Sequence, residues 1–322
     1  ASVCLKLKGE ECNACVRECP VEGSLAFDDT EKEFVIDAGA IIVATGSVEK
    51  QDLPAPFAGL EDVQTGYRFE RLLAMNGPTA GEMLKSDGSL PKSLAIVHCA
   101  GSLDAAEVPY CSGTCCRAAL KYAHIASAKV EGIEVTRLVR EQVAYGIDAG
   151  QQFAHDHSQV VRYGGMQELQ IEGSGAERSI VVGGQKVAAE MIVLMRPVVP
   201  GEGTCQTAEL LELDSDGGGF IAQLHSLSGS FATTMKGIYL AGACRGPGDI
   251  REAFATGTAA AGMALSELVE GRDLAVDPQV AVVDNALCAG CKTCIQLCPY
   301  KAISWNERDA VAMVADILCR GC

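Results

Sequence analysis

Apolar residues along the chain gather in short blocks, separated by glycine, proline and aspartate turns. The blocks 34–37 (FVID) and 40–44 (AIIVA) read as strands, the second entering Thr45-Gly46. Residues 66–76 (GYRFERLLAMN) have helical spacing and stop at Gly77-Pro78. The run 94–99 (LAIVHC) opens a strand–turn–helix unit, with a helix over 114–128 and a strand over 133–139. Ser112 or Thr114 is the expected cap of that helix. A weaker helical stretch lies near 148–161, and 187–195 (VAAEMIVLM) reads as a buried strand. The strand 237–243 (GIYLAGA) leads through a glycine-rich turn into an alanine-rich helix over 249–270, and 271–283 reads as a linker. Strands alternating with helices predict an α/β fold with a mostly parallel sheet.

Composition narrows the function classes. The chain has 322 residues, 48% of them hydrophobic, which excludes global disorder. A net charge of −16 repels polyanions, so nucleic acid and anionic membrane surfaces are not expected partners. Apolar runs such as 38–44 fall well short of the roughly 18 to 20 residues that span a bilayer. No signal-peptide pattern follows Ala1, and since Ala1 is not Met the natural start is expected upstream.

Sixteen cysteines change the picture most. Cys288, Cys291, Cys294 and Cys298, the last before Pro299, have the C-x2-C-x2-C-x3-C-P spacing of a ferredoxin [4Fe–4S] run. Three thiolates on one tight loop hold three irons of a cube, and the fourth serves the other cluster of a two-cluster module. Cys319 and Cys322 open a second such run that this sequence does not complete. Either the chain is truncated, which is the expectation here, or another subunit closes the sites. Cys4, Cys12, Cys15 and Cys19 resemble the second half of another such module, with Cys19 serving a different cluster; alternatively these four close one cluster by themselves. A third group joins Cys99, at the end of a strand, to Cys111, Cys115 and Cys116 near a helix start, where helix amides favour thiolates. Cys205 and Cys244 are left to packing. Clustered iron-ligating thiols need a reducing compartment, so a cytoplasmic location is expected.

Two turns suggest a bound nucleotide. Ala44-Thr45-Gly46 ends a strand with small residues, and Gly242, Ala243, Gly246, Gly248, Asp249 and Ile250 form a strand–turn–helix whose helix start offers free N–H groups. No G-x-G-x-x-G follows a strand. The unit at 94–128 carries the third cysteine group where such a fingerprint would sit, so direct NAD(P)H binding is not expected.

Taken together, ATG (44–46), FERLLAMNGPTAG (69–81), HCAGS (98–102), PYCSGTCC with Lys121, AGACRGPGDI (241–250) and LCAGCKTCIQLCPYKAI (287–303) carry a family resemblance. The chain resembles the flavoprotein A subunits of heterodisulfide reductase and their homologues in anaerobic electron-transfer complexes. The resemblance implies a thioredoxin-reductase-like FAD core with ferredoxin-like [4Fe–4S] segments. It divides the chain into a partial ferredoxin insert (1–33), a first part of the FAD domain (34–93), a nicotinamide-domain-like region carrying a cluster (94–199), a second FAD part (200–275) and a partial two-cluster ferredoxin (276–322). It implies one cluster on Cys99, Cys111, Cys115 and Cys116, and places Glu70 and Lys121 beside the flavin ring. On residues alone, Lys121 reads as a solvated helix residue and Glu70, next to Arg71, as surface charge. His225 matches a family histidine, although Ser226 and Ser230 stand where the family carries prolines. The nucleotide fingerprint of FAD is expected upstream of Ala1. The implied role is an oligomeric oxidoreductase subunit that passes, and bifurcates, electrons. Its partners would be a hydrogenase- or dehydrogenase-type donor, a disulfide- or substrate-reducing subunit and ferredoxin. A confurcating relative in a quinone- or sulfur-linked complex, or a flavin-free electron wire, would share these motifs.

Overall fold

Two strand sequences are apolar at every position but one, Ser93–Val97 and Met191–Leu194, and both are buried throughout. Such runs belong in a sheet covered on both faces, and that is where the computed structural model places them. It describes all residues except 1–3, 28–29, 31, 144–148, 155, 226–230, 269–279, 317 and 320–322. Five strands lie side by side in the order Val63–Thr65, Met191–Leu194, Ser93–Val97, Glu134–Val139, Gln159–Arg162, every pair parallel.

Alternate side chains of this sheet build two cores. Leu94, Ile96 and Val193 meet Phe69 of helix Gly66–Leu73 and Ala119, Tyr122, Ala123 and Ala126 of helix Cys115–Lys129. Ala95, Val97, Ile192 and Leu194 meet Ile180, Val182 and Val187 of a three-stranded antiparallel layer, Gln170–Glu172, Ser179–Val182 and Gln185–Ala188.

Several expectations need correction. The stretch 187–195 is two strands: Gln185–Ala188 belongs to the antiparallel layer and Met191–Leu194 to the parallel sheet. The buried Arg178 makes the break, donating to the carbonyls of Ala189 and Glu190, while Ser93 Oγ accepts the Glu190 N–H at 2.9 Å. The stretch 148–161 holds helix Ala149–Ala154 and the start of strand Gln159–Arg162, with residue 155 outside the described set. Val63–Thr65, on the N-terminal side of the expected 93/94 boundary, pairs within the five-stranded sheet. Neither expected cap bonds the cysteine helix: Thr114 sits at the cap position without a side-chain bond, and Ser112 Oγ accepts the Val198 N–H instead. That helix also begins at Cys115, so Cys111 precedes it rather than sharing its first turn.

A second, smaller set of strands carries the two turns. Ile41–Val43 pairs in parallel with Ile238–Leu240, and Ser47–Glu49 runs antiparallel to Val198–Pro200. Helix Ile250–Glu267 packs Ala260 and Ala264 against Tyr239 and Ala241. Asp249 caps it, accepting the Glu252 N–H at 2.9 Å. Towards the C-terminus come the short helix Thr293–Leu297 and the hairpin Ile303–Asn306/Val311–Val314.

Residues Ala1–Gly39 form a separate compact unit, with a 3-10 turn at Lys6–Lys8 and a short helix at Ala14–Glu18. Residues 34–37 are not a strand: Phe34, Val35 and Ile36 are 79%, 98% and 81% exposed. A strand needs a hydrogen-bonded neighbour, and none pairs with this stretch among the described residues. Among the described residues no helix is long and apolar enough to cross a membrane.

Candidate functional site

The third cysteine group assembles at the carboxyl ends of the parallel strands. Ser93–Val97 is the middle strand, and the chain leaves it to one neighbour through the cysteine helix while Met191–Leu194 flanks the other side. Open parallel sheets bind ligands at such a point. Just past the strand, the His98 N–H donates to Leu138 O at 2.9 Å and the Ala100 N–H to Met195 O at 3.1 Å. Between these anchors Cys99 is held at φ +51°. A left-handed backbone is costly for a residue with a Cβ and marks places where something overrides local preference.

The other thiols come from the turn and helix that follow. Cys111 Sγ accepts the Gly113 N–H at 3.3 Å, and Gly113 sits at φ +70°. Cys115 and Cys116 are the first two residues of their helix and are buried with Cys99. Cys116 Sγ accepts the Val143 N–H at 3.5 Å and faces Glu141 O at 3.6 Å. The Glu141 N–H serves Cys99. Thus three segments bring four sulfurs together, and three peptide amides point at those sulfurs.

These thiols lie in one another's field. Burial pushes Cys99 up to about 11, and the charges of Cys116 and Cys111 add to that. Cys115 and Cys116 share a hydrogen bond that lowers Cys116 to about 4, helped by His98 and the Val143 amide, and drives Cys115 well above its ordinary value. Four like charges cannot coexist at such a site without a cation among them. Iron supplies one, because a coordinating thiol is deprotonated outright. Among the described residues, no three His, Cys, Asp or Glu side chains converge tightly enough to hold a single metal ion. A four-iron cube puts one iron at each thiolate, so its ligands need not meet at a point. The four thiols, with peptide amides aimed at them, are the kind of donor set such a cube takes.

Glu70 and Lys121 meet. Lys121 Nζ lies 2.6 Å from Glu70 Oε1, both about half exposed, and the buried Tyr122 hydroxyl donates to Glu70 Oε2 at 2.7 Å. Burial raises the Glu70 carboxyl, but the Lys121 and Tyr122 hydrogen bonds and the Lys121 charge outweigh it and hold it below its ordinary value. Lys121, Arg117, His124 and the Asp249-Ile250-Arg251 helix start line a cavity of about 590 Å³. Arg117 on the cysteine helix pairs with Asp249 at 2.9 Å, joining the two helices at the cavity wall.

The two turns lie at the ends of parallel neighbours. Ala44-Thr45-Gly46 follows Ile41–Val43, with Gly46 at φ +76° and its carbonyl accepting from Thr204 Oγ1 at 2.8 Å. Gly242 and Ala243 follow Ile238–Leu240, and Gly242 N–H donates to Thr256 Oγ1 at 2.9 Å. Gly246, at φ +149°, and Gly248 complete the turn before Asp249 and Ile250. The exposed His225 is not among the residues lining the described cavities.

The remaining cysteines are less enclosed. Cys4, Cys12 and Cys19 are half-buried and Cys15 exposed. A hydrogen bond with Ser24 lowers Cys19. Cys291 and Cys294 are exposed, while Cys288, Cys298 and Cys319 are half-buried. Cys298 Sγ accepts the Ala302 N–H and Cys319 Sγ the Ala281 N–H, each at 3.3 Å. Cys322 lies outside the described residues. Cys244 is buried, donating to Val43 O, and Cys205 is exposed.

Sequence reasoning missed the shell around the third group. His98 touches the Cys116 thiol, and the buried Arg137 and Tyr163 hold it from behind. No spacing rule marks such residues.

Residues 281–304 match the family model of the 4Fe-4S binding domain. The A subunit of the H(2):CoB-CoM heterodisulfide,ferredoxin reductase of Methanothermobacter marburgensis is 35% identical over 95% of this chain and 48% of its own length. This chain is a relative of the heterodisulfide reductase A subunits. The A subunit of the Ferredoxin:CoB-CoM heterodisulfide reductase of Methanosarcina acetivorans is 30% identical over 96% of the chain and 43% of its own length. The chain thus spans about half the length of the curated heterodisulfide reductase A subunits it matches. Among solved structures, T. acidophilum thioredoxin reductase aligns with 70% of this chain and 65% of its own, at 15% identity and a TM-score of 0.41, too low a likeness to carry an argument.

Proposed function

We propose that this chain is the redox core of an iron–sulfur flavoprotein subunit of heterodisulfide reductase type. The observation that carries this is the adjacency of two features. Four thiols close the carboxyl end of the parallel sheet, and the helix that begins with two of them, Cys115 and Cys116, also walls the 590 Å³ cavity bounded by Lys121, Arg117 and the Asp249 turn. Cys99, Cys111, Cys115 and Cys116 hold one [4Fe–4S] cluster, and Cys288, Cys291 and Cys294 are ligands of another. Cys298, Cys319 and Cys322, and likewise Cys4, Cys12, Cys15 and Cys19, contribute to further clusters.

FAD would be held by residues of this cavity, among them Lys121, Arg117 and the Asp249–Ile250 helix start, and the Ala44–Gly46 and Gly242–Gly248 turns would contribute close backbone approach to it. A flavin exchanges electrons in pairs or singly, while a cluster takes one, so the pair can be divided between acceptors. The chain's own residues set the terms. The Lys121 ammonium favours negative charge in the cavity, and the Glu70 carboxylate, fixed by Tyr122, limits that effect and keeps the ammonium in place. Asp249 and Arg117 hold the two helix starts together.

Within a larger assembly the electron donor is of hydrogenase or dehydrogenase type, and the acceptors are ferredoxin and a disulfide- or substrate-reducing subunit. Bifurcation, oligomeric assembly and a cytoplasmic location belong to the same proposal. The test is anaerobic purification with the natural partners. Flavin absorbance and about four irons per occupied cysteine set are expected. Iron without flavin removes the flavin half of the reading, and flavin without iron removes the cluster half.

A further inference from the structure

The His98 imidazole is fully buried between the third cysteine group and an arginine. Arg137 Nη1 lies 3.5 Å from its Nε2. Arg137 is itself 1% exposed, donates through Nε to Ser158 Oγ at 2.9 Å and pairs with Asp156. A guanidinium has five donors and no acceptor. The Nε2 facing it therefore presents a lone pair, and the ring proton sits on Nδ1. Nδ1 is buried without a hydrogen-bond partner. The backbone fixes where the ring sits: the His98 N–H is tied to Leu138 O, and its carbonyl accepts the Tyr163 hydroxyl. The ring borders the Cys116 thiol of that group, and an orphaned buried donor is costly unless an acceptor arrives.

We propose that His98 donates its Nδ1–H to a sulfur of the cluster held by Cys99, Cys111, Cys115 and Cys116, raising that cluster's reduction potential, and that Arg137 is the positioning residue that fixes the donating tautomer. This rests on those four cysteines being the ligands. An N–H directed at a cluster sulfur stabilises the more negative, reduced form. The amides of Gly113 and Val143 act the same way on Cys111 and Cys116. Unlike them, His98 can be removed by substitution.

The test uses the full-length protein purified anaerobically, with the cluster's paramagnetic signal assigned by its loss in Cys116→Ser. Redox titration of His98→Leu is expected to shift the midpoint to more negative potential by about a tenfold change in equilibrium constant, or about 59 mV for one electron. His98→Asn, which keeps an N–H near the Nδ1 position, is expected to recover at least half of that shift. An unchanged midpoint in His98→Leu at normal iron content overturns the His98 role alone. Wild-type protein lacking this cluster's iron overturns the ligand set and the proposal with it. If His98→Leu loses the cluster, wild-type protein labelled with 15N-histidine decides by spin-echo spectroscopy. A histidine nitrogen coupled to the reduced cluster supports the proposal, and its absence overturns it.

Discussion

The third cysteine group and the C-terminal one invite direct comparison, since both are proposed to hold iron. Cys99, Cys115 and Cys116 are buried at the end of the largest sheet, with both faces of that sheet packed. The C-terminal run leaves Cys291 and Cys294 exposed, and Leu287 and Leu297 beside them are 81% and 75% exposed. From 280 onward, among the described residues, only Ala302, Val311 and Ala312 are buried hydrophobic residues. In the first region packing on both faces of the sheet holds the segments that carry the sulfurs. In the second there is too little apolar burial to do so, and the cluster itself must serve as the core.

Iron chelation under anaerobic conditions is the strongest way to break this comparison. Residues 288–298 are expected to become at least tenfold more susceptible to proteolysis, while amides of Ser93–Val97 and Met191–Leu194 keep their protection from hydrogen exchange. Equal loss in both regions would mean that the sheet does not hold the third group by itself. Next in size is Arg137→Met. It strands Asp156, whose side chain is 8% exposed, and is expected to cost about 3–5 kcal/mol in urea unfolding. A smaller cost is expected from Cys116→Ser: about 1–2 kcal/mol for a buried hydroxyl, with loss of about four irons and an unchanged circular dichroism spectrum.

The smallest effect is expected at the half-exposed Glu70–Lys121 pair, where Lys121→Met should cost less than about 1 kcal/mol. Its pH dependence has a definite sign. The Glu70 carboxyl is held below its ordinary value, so its contribution is complete above the unfolded-state pKa, about 4.3. That contribution is lost as pH falls through the lower folded value. The wild-type and Lys121→Met unfolding curves should therefore differ at pH 7 and draw together below about pH 4.

Much of this was legible in the sequence, and unevenly so. The continuous apolar runs at 94–97 and 191–194 announce doubly covered strands, and the spacing from Cys288 to Cys298 announces its ligand type. The break after Ala188 could not be read, because it depends on Arg178, just before strand Ser179–Val182, reaching two carbonyls eleven and twelve residues on. The strand expected at 34–37 has the right residues but no pairing partner, a tertiary fact that propensity does not contain. The grouping of Cys99 with Cys115 and Cys116 was signalled by a strand end facing a helix start, and by resemblance. The His98–Arg137 arrangement was not, since its parts lie 39 residues apart and carry no motif.

The left-handed backbone at Cys99 has an evolutionary consequence. Holding a Cβ there costs about 1 kcal/mol or more, a burden that glycine escapes entirely and asparagine in part. A cysteine at such a backbone position is accounted for by a need for its sulfur rather than by local preference. In a lineage that abandoned this cluster, position 99 would be among the first of the four to drift, and glycine or asparagine would be the residues to look for.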